Sequence, residues 1–169
     1  MEGKANIILC GFMATGKSSV GKRLAELAHF EFIDMDAAIE EEEGVGIPQI
    51  FAERGEAAFR ELESRMVERL MGRSGLVIST GGGTVVSPRN LANLKKCGVV
   101  IALTADVQTI LRRTAGDTGR PLLQTEDREE KIRALLEKRM AAYNQADVVL
   151  DTSSSSVEEV AQALLRALQ

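Results

Sequence analysis

The chain has 169 residues, a length that predicts one domain spanning residues 1–169. Hydrophobic residues make up 44% and charged residues 27%, which excludes a disordered or fibrous chain. The net charge of -4 argues against a general nucleic-acid-binding surface, and no apolar run is long enough for a membrane span. The two cysteines suit a reducing compartment, so we expect a cytoplasmic protein that binds neither nucleic acid nor membrane.

Short apolar runs alternate with amphipathic helical stretches along the chain. The runs with the length of buried strands are Asn6–Cys10, Phe30–Asp34, Leu76–Thr80, Val99–Leu103 and Val148–Leu150. Because a helical pattern fills every gap between them, the alternation predicts βαβ units. The fold class is therefore α/β, with helices covering both faces of a parallel sheet.

One polar stretch interrupts this alternation. The segment TAGDTGRPLLQTED, at positions 114–127, follows a short helical piece that carries Arg112 and Arg113. A connection of this length is usually functional. Beyond it, one helix is predicted to end near Asn144, and Ser156 can cap the last helix.

The clearest chemical motif is GFMATGKS, which occupies Gly11–Ser18 and matches the pattern GxxxxGK[ST]. It lies directly between the first predicted strand and a helical stretch, the context that a phosphate-binding loop requires. Its backbone N–H groups would surround phosphate oxygens, Lys17 would reach the β and γ phosphates, and the Ser18 hydroxyl would ligate Mg²⁺. A guanine-binding NKxD motif is absent, which argues against a GTPase.

Two acidic residues close the second predicted strand. Asp34 and Asp36 would lie beside the phosphate loop, where a carboxylate is needed for Mg²⁺. The simpler alternative is that they only cap the helix that follows. We favour a site, because ligands bind at the carboxyl ends of strands in open parallel sheets.

Three consecutive glycines, Gly81, Gly82 and Gly83, follow the third predicted strand. They could form a plain turn. Glycines at this position also allow a ligand to approach the backbone closely, and their N–H groups can bind it. We therefore favour a substrate-facing loop.

Two arginines occupy unusual helical positions. Arg139 lies on the apolar stripe of its helix, and Arg60 lies at the edge of another stripe, three residues before Glu63. Arg139 could extend its charged end to water, and the Arg60–Glu63 pair could be an ordinary salt bridge. Together the two arginines could instead clamp the carboxylate of a substrate.

These motifs, read in order, resemble the shikimate kinase family over nearly the whole chain. The matching segments are GFMATGKS, FIDMD, AAFRELE, TGGG, RRTAGDTGRPLL and LEKRMAAY. The resemblance implies a three-layer α/β/α sandwich around a five-stranded parallel sheet, of the P-loop, nucleoside monophosphate kinase type. It also implies a substrate-binding helical region at about 35–71 and a mobile lid at about 112–125.

The implied activity is transfer of the ATP γ-phosphoryl group to the 3-hydroxyl of shikimate, with Mg²⁺ as cofactor, in the chorismate and aromatic amino acid pathway. The acidic balance and the single-domain length fit a monomer. By the same resemblance, the implied catalytic residues are Lys17, Asp36 and Arg120. Those implied to bind ATP are Gly11, Ala14, Thr15, Gly16, Lys17, Ser18, Ser19, Arg113 and Arg120. Those implied to bind shikimate are Asp36, Arg60, Glu63, Gly81, Gly82, Gly83 and Arg139, with Ser18 and Asp34 at the metal.

The chain departs from the family pattern in two places. Ala14 stands where the family usually has a glycine, and Ser19 where threonine is common. Ala14 must adopt a negative φ or accept strain. Two alternatives stay open: another small-molecule P-loop kinase, such as a gluconate kinase, and a nucleotide-binding module without catalysis.

Overall fold

The computed structural model describes residues 5–116 and 127–168. Its strands and helices follow one another in the predicted alternation. In chain order they are β1 (Asn6–Gly11), α1 (Lys17–Ala28), β2 (Glu31–Asp34), α2 (Met35–Glu43), α3 (Ile47–Leu70), β3 (Leu76–Ser79), α4 (Pro88–Cys97), β4 (Gly98–Thr104), α5 (Val107–Arg113), α6 (Arg128–Tyr143), β5 (Val148–Asp151) and α7 (Val157–Ala167). A 3₁₀ turn at Thr84–Val86 lies between β3 and α4.

The five strands form one parallel sheet in the order β2-β3-β1-β4-β5. The central strand is β1, in which Ile8 is aligned with Ile78 of β3 on one side and with Val100 of β4 on the other. The predicted α/β fold class and all five predicted strands are confirmed. The strands are apolar along their length because helices cover both faces of the sheet.

Alternate strand residues pack into two separate cores. Ile8 and Val100 face a larger core formed with α2, α3, α4 and α6, whereas Leu9 and Ile101 face a smaller core formed with α1 and α7. The period of two in a strand assigns each side chain to its face. The result is a layer of helices on each side of the sheet.

Two local signals determine how helices begin or change direction. Ser156 accepts a hydrogen bond from the N–H of Glu159, whose side chain accepts one from the N–H of Ser156, so the predicted cap of α7 is a complete capping box. Within α3, Gly55 has φ 80° and ψ 172°, which interrupts the helix. The part of α3 after Gly55 then brings Arg60 and Glu63 to the carboxyl end of the sheet.

The chain leaves the neighbouring strands β1 and β4 in opposite directions across the sheet. From β1 it crosses to β2 and returns to β3, which lies between them, before continuing on the other side with β4 and β5. Such a reversal leaves a crevice at the carboxyl ends of the strands. The phosphate loop, the Asp34 end of β2 and the triple glycine all lie at that edge.

Candidate active site

The phosphate loop connects β1 directly to α1. Gly11 has φ 134°, and a Cβ atom at this position would lie 2.1 Å from the carbonyl oxygen of Leu103. Gly16 has φ 95° and precedes Lys17, the first residue of α1. Only glycine fits such backbone without strain. The first N–H groups of α1 have no helical partner, so they are available to a phosphate group.

Ala14 adopts φ 59°, in the left-handed region. Of the two options that the sequence left open, the loop therefore takes the strained one. The usual glycine at this position would adopt the same backbone without a clash of Cβ.

Replacing Ala14 by Gly is expected to stabilise the protein. Glycine relieves the strain of the left-handed backbone in the folded state but also raises the conformational entropy of the unfolded chain. The first effect should be the larger, so the free energy of unfolding should rise by an amount on the order of 0.5 kcal/mol, or roughly 1–2 °C in Tm. Calorimetric melting measures the shift. His29→Gly, which removes a residue with φ 55° outside the loop, is the matched control. A lower Tm for Ala14→Gly alone would contradict the assignment of strain.

Lys17 folds back over the loop that precedes it. Its Nζ donates a hydrogen bond of 2.8 Å to the carbonyl oxygen of Phe12, which also accepts one of 2.8 Å from Thr15 Oγ1. The positive charge of Lys17 also opposes, without cancelling, the rise that burial and nearby carboxylates cause in the pKa of Asp36. The ammonium group is thus held between the phosphate loop and the acidic end of the site.

Ser18 and Asp34 form the pair expected of a metal site. Ser18 Oγ donates a hydrogen bond of 2.6 Å to Asp34 Oδ2, while Asp34 Oδ1 accepts from the N–H groups of Asp36 and Ala37. Asp34 therefore caps α2, as the simpler alternative held, and its other carboxylate oxygen contacts the phosphate-loop residue Ser18.

This donor set fits Mg²⁺. The ion commonly takes one or two protein oxygens together with substrate phosphates and water. Within residues 5–116 and 127–168, no three His, Cys, Asp or Glu residues form a cluster that could hold an ion by themselves. Ser18 and Asp34 suit an ion that arrives with the nucleotide.

Asp36 is the second residue of α2 and directs its carboxylate toward Gly81 in the crevice. Its Oδ1 atom is shielded from solvent and has no hydrogen-bond partner among the described residues. Burial, followed by the negative charges of Glu63 and Asp34, raises the pKa of Asp36 from 3.8 to about 6. A shielded, unpartnered carboxylate oxygen is suited to accept a hydrogen bond from a ligand hydroxyl.

Arg60 and Glu63 form a partly buried pair on α3. Arg60 Nη1 donates to Glu63 Oε2 at 2.7 Å, and Glu63 is only 1% exposed while the Arg60 side chain is 33% exposed. Burial disfavours the charge of Arg60, but the hydrogen bonds and negative charges of Glu63 and Glu56 together outweigh it and raise the Arg60 pKa. A surface salt bridge, the alternative weighed from the sequence, does not describe this buried carboxylate.

The triple glycine lies against the charged groups of the site. A Cβ atom at Gly81 would be 2.8 Å from Asp36 Oδ1, one at Gly82 would be 3.0 Å from Arg139 Nη1, and one at Gly83 would be 2.5 Å from Arg60 Nη1. The guanidinium groups of Arg139 and Arg60 therefore lie beside two consecutive glycines, Gly82 and Gly83. Side chains here would displace them, which explains why glycine is used three times.

Arg139 belongs to α6 and is half-buried. Its guanidinium carbon lies 5.8 Å from the centre of the Phe12 ring, within the range of a cation–π contact. The side chain therefore turns toward the phosphate loop and Gly82, not away into solvent. The guanidinium group thus lies beside Gly82, as that of Arg60 lies beside Gly83, so that both could contact one substrate carboxylate.

Tyr143, the last residue of α6, lies against the site although no motif gave it a role there. The side chain is fully buried, and its hydroxyl donates a hydrogen bond of 2.7 Å to the carbonyl oxygen of Gly82. Burial raises the pKa of Tyr143 to about 12, so the phenol stays protonated. Its spacing of four residues from Arg139 was the one available signal, since these two side chains share a helix face.

The two aromatic residues of α3, Phe51 and Phe59, are neighbours, with ring centres 5.0 Å apart. Phe59 is buried in the larger core, whereas Phe51 is 37% exposed. The Arg60 guanidinium carbon lies 5.5 Å from the Phe59 ring centre. Phe59 therefore packs in the core and also supports Arg60.

A cavity of about 310 Å³ opens on the other side of the phosphate loop. Its lining comes from the loop, the start of α1, the end of α5 and the segment that leads into α7, and it includes Ser19, Arg113 and Ser155. The volume lies at the lower end of the range for small-molecule sites. The segment Asp151–Ser155 thus borders this cavity and contributes Thr152 and Ser155 to its lining.

Thr152 connects this cavity to the phosphate loop, a role that the sequence did not indicate. Its Oγ1 donates to the carbonyl oxygens of Thr15 and Thr104 at 2.9 and 3.0 Å. Arg113 donates to the carbonyl oxygens of Thr152 and Ala14 at 2.6 and 3.1 Å. The guanidinium therefore lies between the loop and the cavity wall.

Some predicted features lie outside the described residues. These are Arg120 and most of the proposed lid, at positions 117–126. In the part of the chain that is described, no helix is long and apolar enough to cross a membrane.

Comparison with known sequences identifies one family. The sequence model described as shikimate kinase matches residues 13–169. A shikimate kinase of Thermodesulfovibrio yellowstonii is 44% identical over 161 residues, which cover 95% of this chain and 93% of the relative. One of Pelotomaculum thermopropionicum is 46% identical over 164 residues, with coverages of 97% and 95%.

Solved structures separate this family from the gluconate kinase alternative. Shikimate kinase from Acinetobacter baumannii in complex with shikimate has a TM-score of 0.93 and 40% identity, covering 98% of this chain and 93% of that one. A gluconokinase from Sinorhizobium meliloti reaches a TM-score of 0.66 at 18% identity, which reflects the shared fold alone. Taken with the site geometry, these similarities show that the chain belongs to the shikimate kinase family, whose members are ATP-dependent kinases.

Proposed function

We propose that the protein transfers the ATP γ-phosphoryl group to the 3-hydroxyl of shikimate, giving shikimate 3-phosphate and ADP. The observation that carries this proposal is the position of two guanidinium groups beside adjacent glycines, next to the shielded carboxylate of Asp36. Shikimate offers one carboxylate to the arginines and ring hydroxyls to Asp36. The product would serve chorismate and aromatic amino acid synthesis.

Arg60 and Arg139 would bind the shikimate carboxylate from two sides. Guanidinium groups suit this task because they donate paired hydrogen bonds and keep their charge. Glu63 would orient Arg60 through its hydrogen bond. The hydroxylated ring of shikimate would approach the backbone closely at Gly81, Gly82 and Gly83.

ATP would occupy the other side of the phosphate loop. The N–H groups between Gly11 and Ser19, including those of Ala14, Thr15 and Gly16, would bind its phosphates, and the 310 Å³ cavity would hold adenosine. Arg113, at the cavity wall, would stack on the adenine ring. Ser18 and Asp34 would hold Mg²⁺, which would neutralise phosphate charge when bound.

The reaction would proceed by in-line attack of the 3-hydroxyl on the γ-phosphorus. Asp36 would accept the hydrogen bond of that hydroxyl, align it and take its proton as the new P–O bond forms. Lys17 would neutralise charge on the transferring group. Arg120, from the proposed mobile lid at about 112–125, would add a second positive charge and help to exclude water.

The organisation that we propose is a single domain acting as a monomer in the cytoplasm, with no nucleic-acid or membrane partner. The acidic net charge of -4 supports the lack of nucleic-acid binding. Both substrate sites are formed by one chain, so neither needs a second copy. Gel filtration with light scattering tests the monomer directly.

A coupled assay of ADP release tests the activity. The protein is supplied with Mg·ATP alone, with shikimate, or with gluconate as the control acid. Release that depends on shikimate is the expected result. Activity with gluconate alone would contradict the assignment of the two arginines, and ATP binding without any acid-dependent release would favour a non-catalytic module.

Gly83→Ala is expected to weaken shikimate binding without unfolding the protein. The new methyl group would meet Arg60 Nη1 at 2.5 Å, and the end of this long side chain can move away at little cost in stability. The displaced guanidinium would raise the KM for shikimate by roughly tenfold while the KM for ATP stays unchanged. Gly72→Ala, whose Cβ would meet nothing within 4 Å, is the matched control. Equal rises in both KM values would refute this reasoning.

A further inference from the structure

A buried hydroxyl contacts the carboxylate that orients Arg60. Thr84, the first residue of the 3₁₀ turn, is fully buried, and its Oγ1 donates a hydrogen bond of 2.6 Å to Glu63 Oε1. The other oxygen of Glu63 accepts from Arg60. Each oxygen of this carboxylate therefore has one donor, a guanidinium on one side and the threonine hydroxyl on the other.

The position of Thr84 is itself fixed by its surroundings. Its carbonyl oxygen accepts a hydrogen bond of 3.2 Å from Asn90 Nδ2, and Asn90 is 2% exposed on α4. Its N–H donates to the carbonyl oxygen of Gly81 at 3.3 Å. A β-branched side chain also has few rotamers, so the hydroxyl has little freedom to move.

We propose that Thr84 is a positioning residue for shikimate: its hydroxyl fixes the Glu63 carboxylate and, through it, the Arg60 guanidinium. The proposal rests on the function given above to Arg60 as a carboxylate clamp. A buried carboxylate held at only one oxygen can rotate or leave an acceptor unsatisfied, and either change misplaces Arg60.

The neighbourhood of Glu63 makes such a rotation costly for the site. A Cβ atom at Gly81 would lie 2.6 Å from Glu63 Oε1, 2.8 Å from Asp36 Oδ1 and 3.1 Å from Thr84 Oγ1. The carboxylates of Glu63 and Asp36 therefore both lie close to Gly81. The Thr84 hydroxyl supplies a donor at that point and keeps Glu63 turned toward Arg60.

The test compares Thr84→Val, which removes the hydroxyl at nearly constant shape, with Thr84→Ser, which keeps it. Thr84→Val should raise both the Kd and the KM for shikimate about tenfold, and the KM for ATP should stay within about twofold. Thr84→Ser should restore shikimate binding to within about twofold of wild type. Thr109→Val is the matched control, since it removes a buried hydroxyl that contacts Arg112 outside the shikimate site.

Coupling to Glu63 is measured with Glu63→Gln and the double variant. If Thr84 acts through Glu63, the loss in the double variant should be smaller than the product of the two single losses. Thermal melting accompanies every kinetic measurement.

Four results would overturn the inference while leaving the proposed function intact. The first two concern Thr84→Val: an unchanged KM for shikimate, or equal rises in the KM values for ATP and shikimate. The third is a Thr84→Ser variant that binds shikimate as weakly as Thr84→Val. The fourth is a double variant whose loss of shikimate binding equals the product of the two single losses. Failure of the proposed function has a different signature, because wild-type protein would then release no ADP with shikimate.

Discussion

Replacing Asp36 by Asn is expected to lower kcat by roughly a hundredfold or more, the range for loss of a positioned acid or base. The KM for ATP should change little, because Asp36 lies on the shikimate side of the phosphate loop. An amide can still contact the hydroxyl but cannot take its proton. An unchanged kcat would refute the role proposed for Asp36.

The same substitution is expected to stabilise the fold at neutral pH. Because the pKa of Asp36 rises from 3.8 to about 6 on folding, the native state binds more protons than the unfolded state between these values. Stability therefore falls as the pH rises through this range and stays lower above it. Asp36→Asn removes this penalty, a gain on the order of 3 kcal/mol at pH 8 that becomes small at pH 4 and below.

Thermal melting at pH 4 and pH 8 measures this effect, and the pH profile of kcat/KM for shikimate complements it. In the wild type, kcat/KM should fall as the pH drops through about 6, because protonation removes the acceptor. Asp147→Asn is the matched control. Asp147 is exposed; partial desolvation would raise its pKa, but hydrogen bonds from the Val100 N–H and Lys95 hold that pKa below its usual value, so this variant should not gain stability.

Replacing Arg139 by Ala is expected to weaken shikimate binding by about 3 kcal/mol, or roughly a hundredfold. A Cβ atom at Gly82 would lie 3.0 Å from Arg139 Nη1, and the guanidinium carbon lies 5.8 Å from the Phe12 ring centre, so this charge is directed at the site. ATP affinity should change little. Separate calorimetric titrations with shikimate and with ATP measure the two effects.

Two further variants make this prediction specific. Arg139→Lys should recover only part of the affinity, because an ammonium group keeps the charge but loses the paired donors. Lys138→Ala removes an adjacent exposed cation of α6 and should leave both titrations unchanged. Equal losses of ATP and shikimate affinity in Arg139→Ala would contradict the carboxylate clamp.

Much of the fold follows from local patterns. The strand predicted at Asn6–Cys10 ends one residue later in the structure, and the one predicted at Val148–Leu150 also ends one residue later. The capping box that begins at Ser156 depends on residues three apart, so the sequence reveals it directly. Apolar periodicity and caps are relations between near neighbours, which is why they can be read without coordinates.

The candidate site was predicted less completely. Lys17, Ser18 and Asp34 lie as their motifs indicated, and Ser18 contacts Asp34. The contacts made by Thr84 and Tyr143 were not foreseen. Thr84 meets a residue 21 positions away and Tyr143 one 61 positions away, distances over which no helix or strand period operates.

The sequence alone determined the alternation of strands and helices, the phosphate loop with its lysine and serine, and the resemblance to one kinase family. Each of these is a local or ordered pattern of residue types. Only the tertiary structure decided the left-handed backbone of Ala14, the raised pKa of Asp36 and the second donor to Glu63. These properties arise from burial and from contacts between distant segments, which exist only once the helices have packed against the sheet.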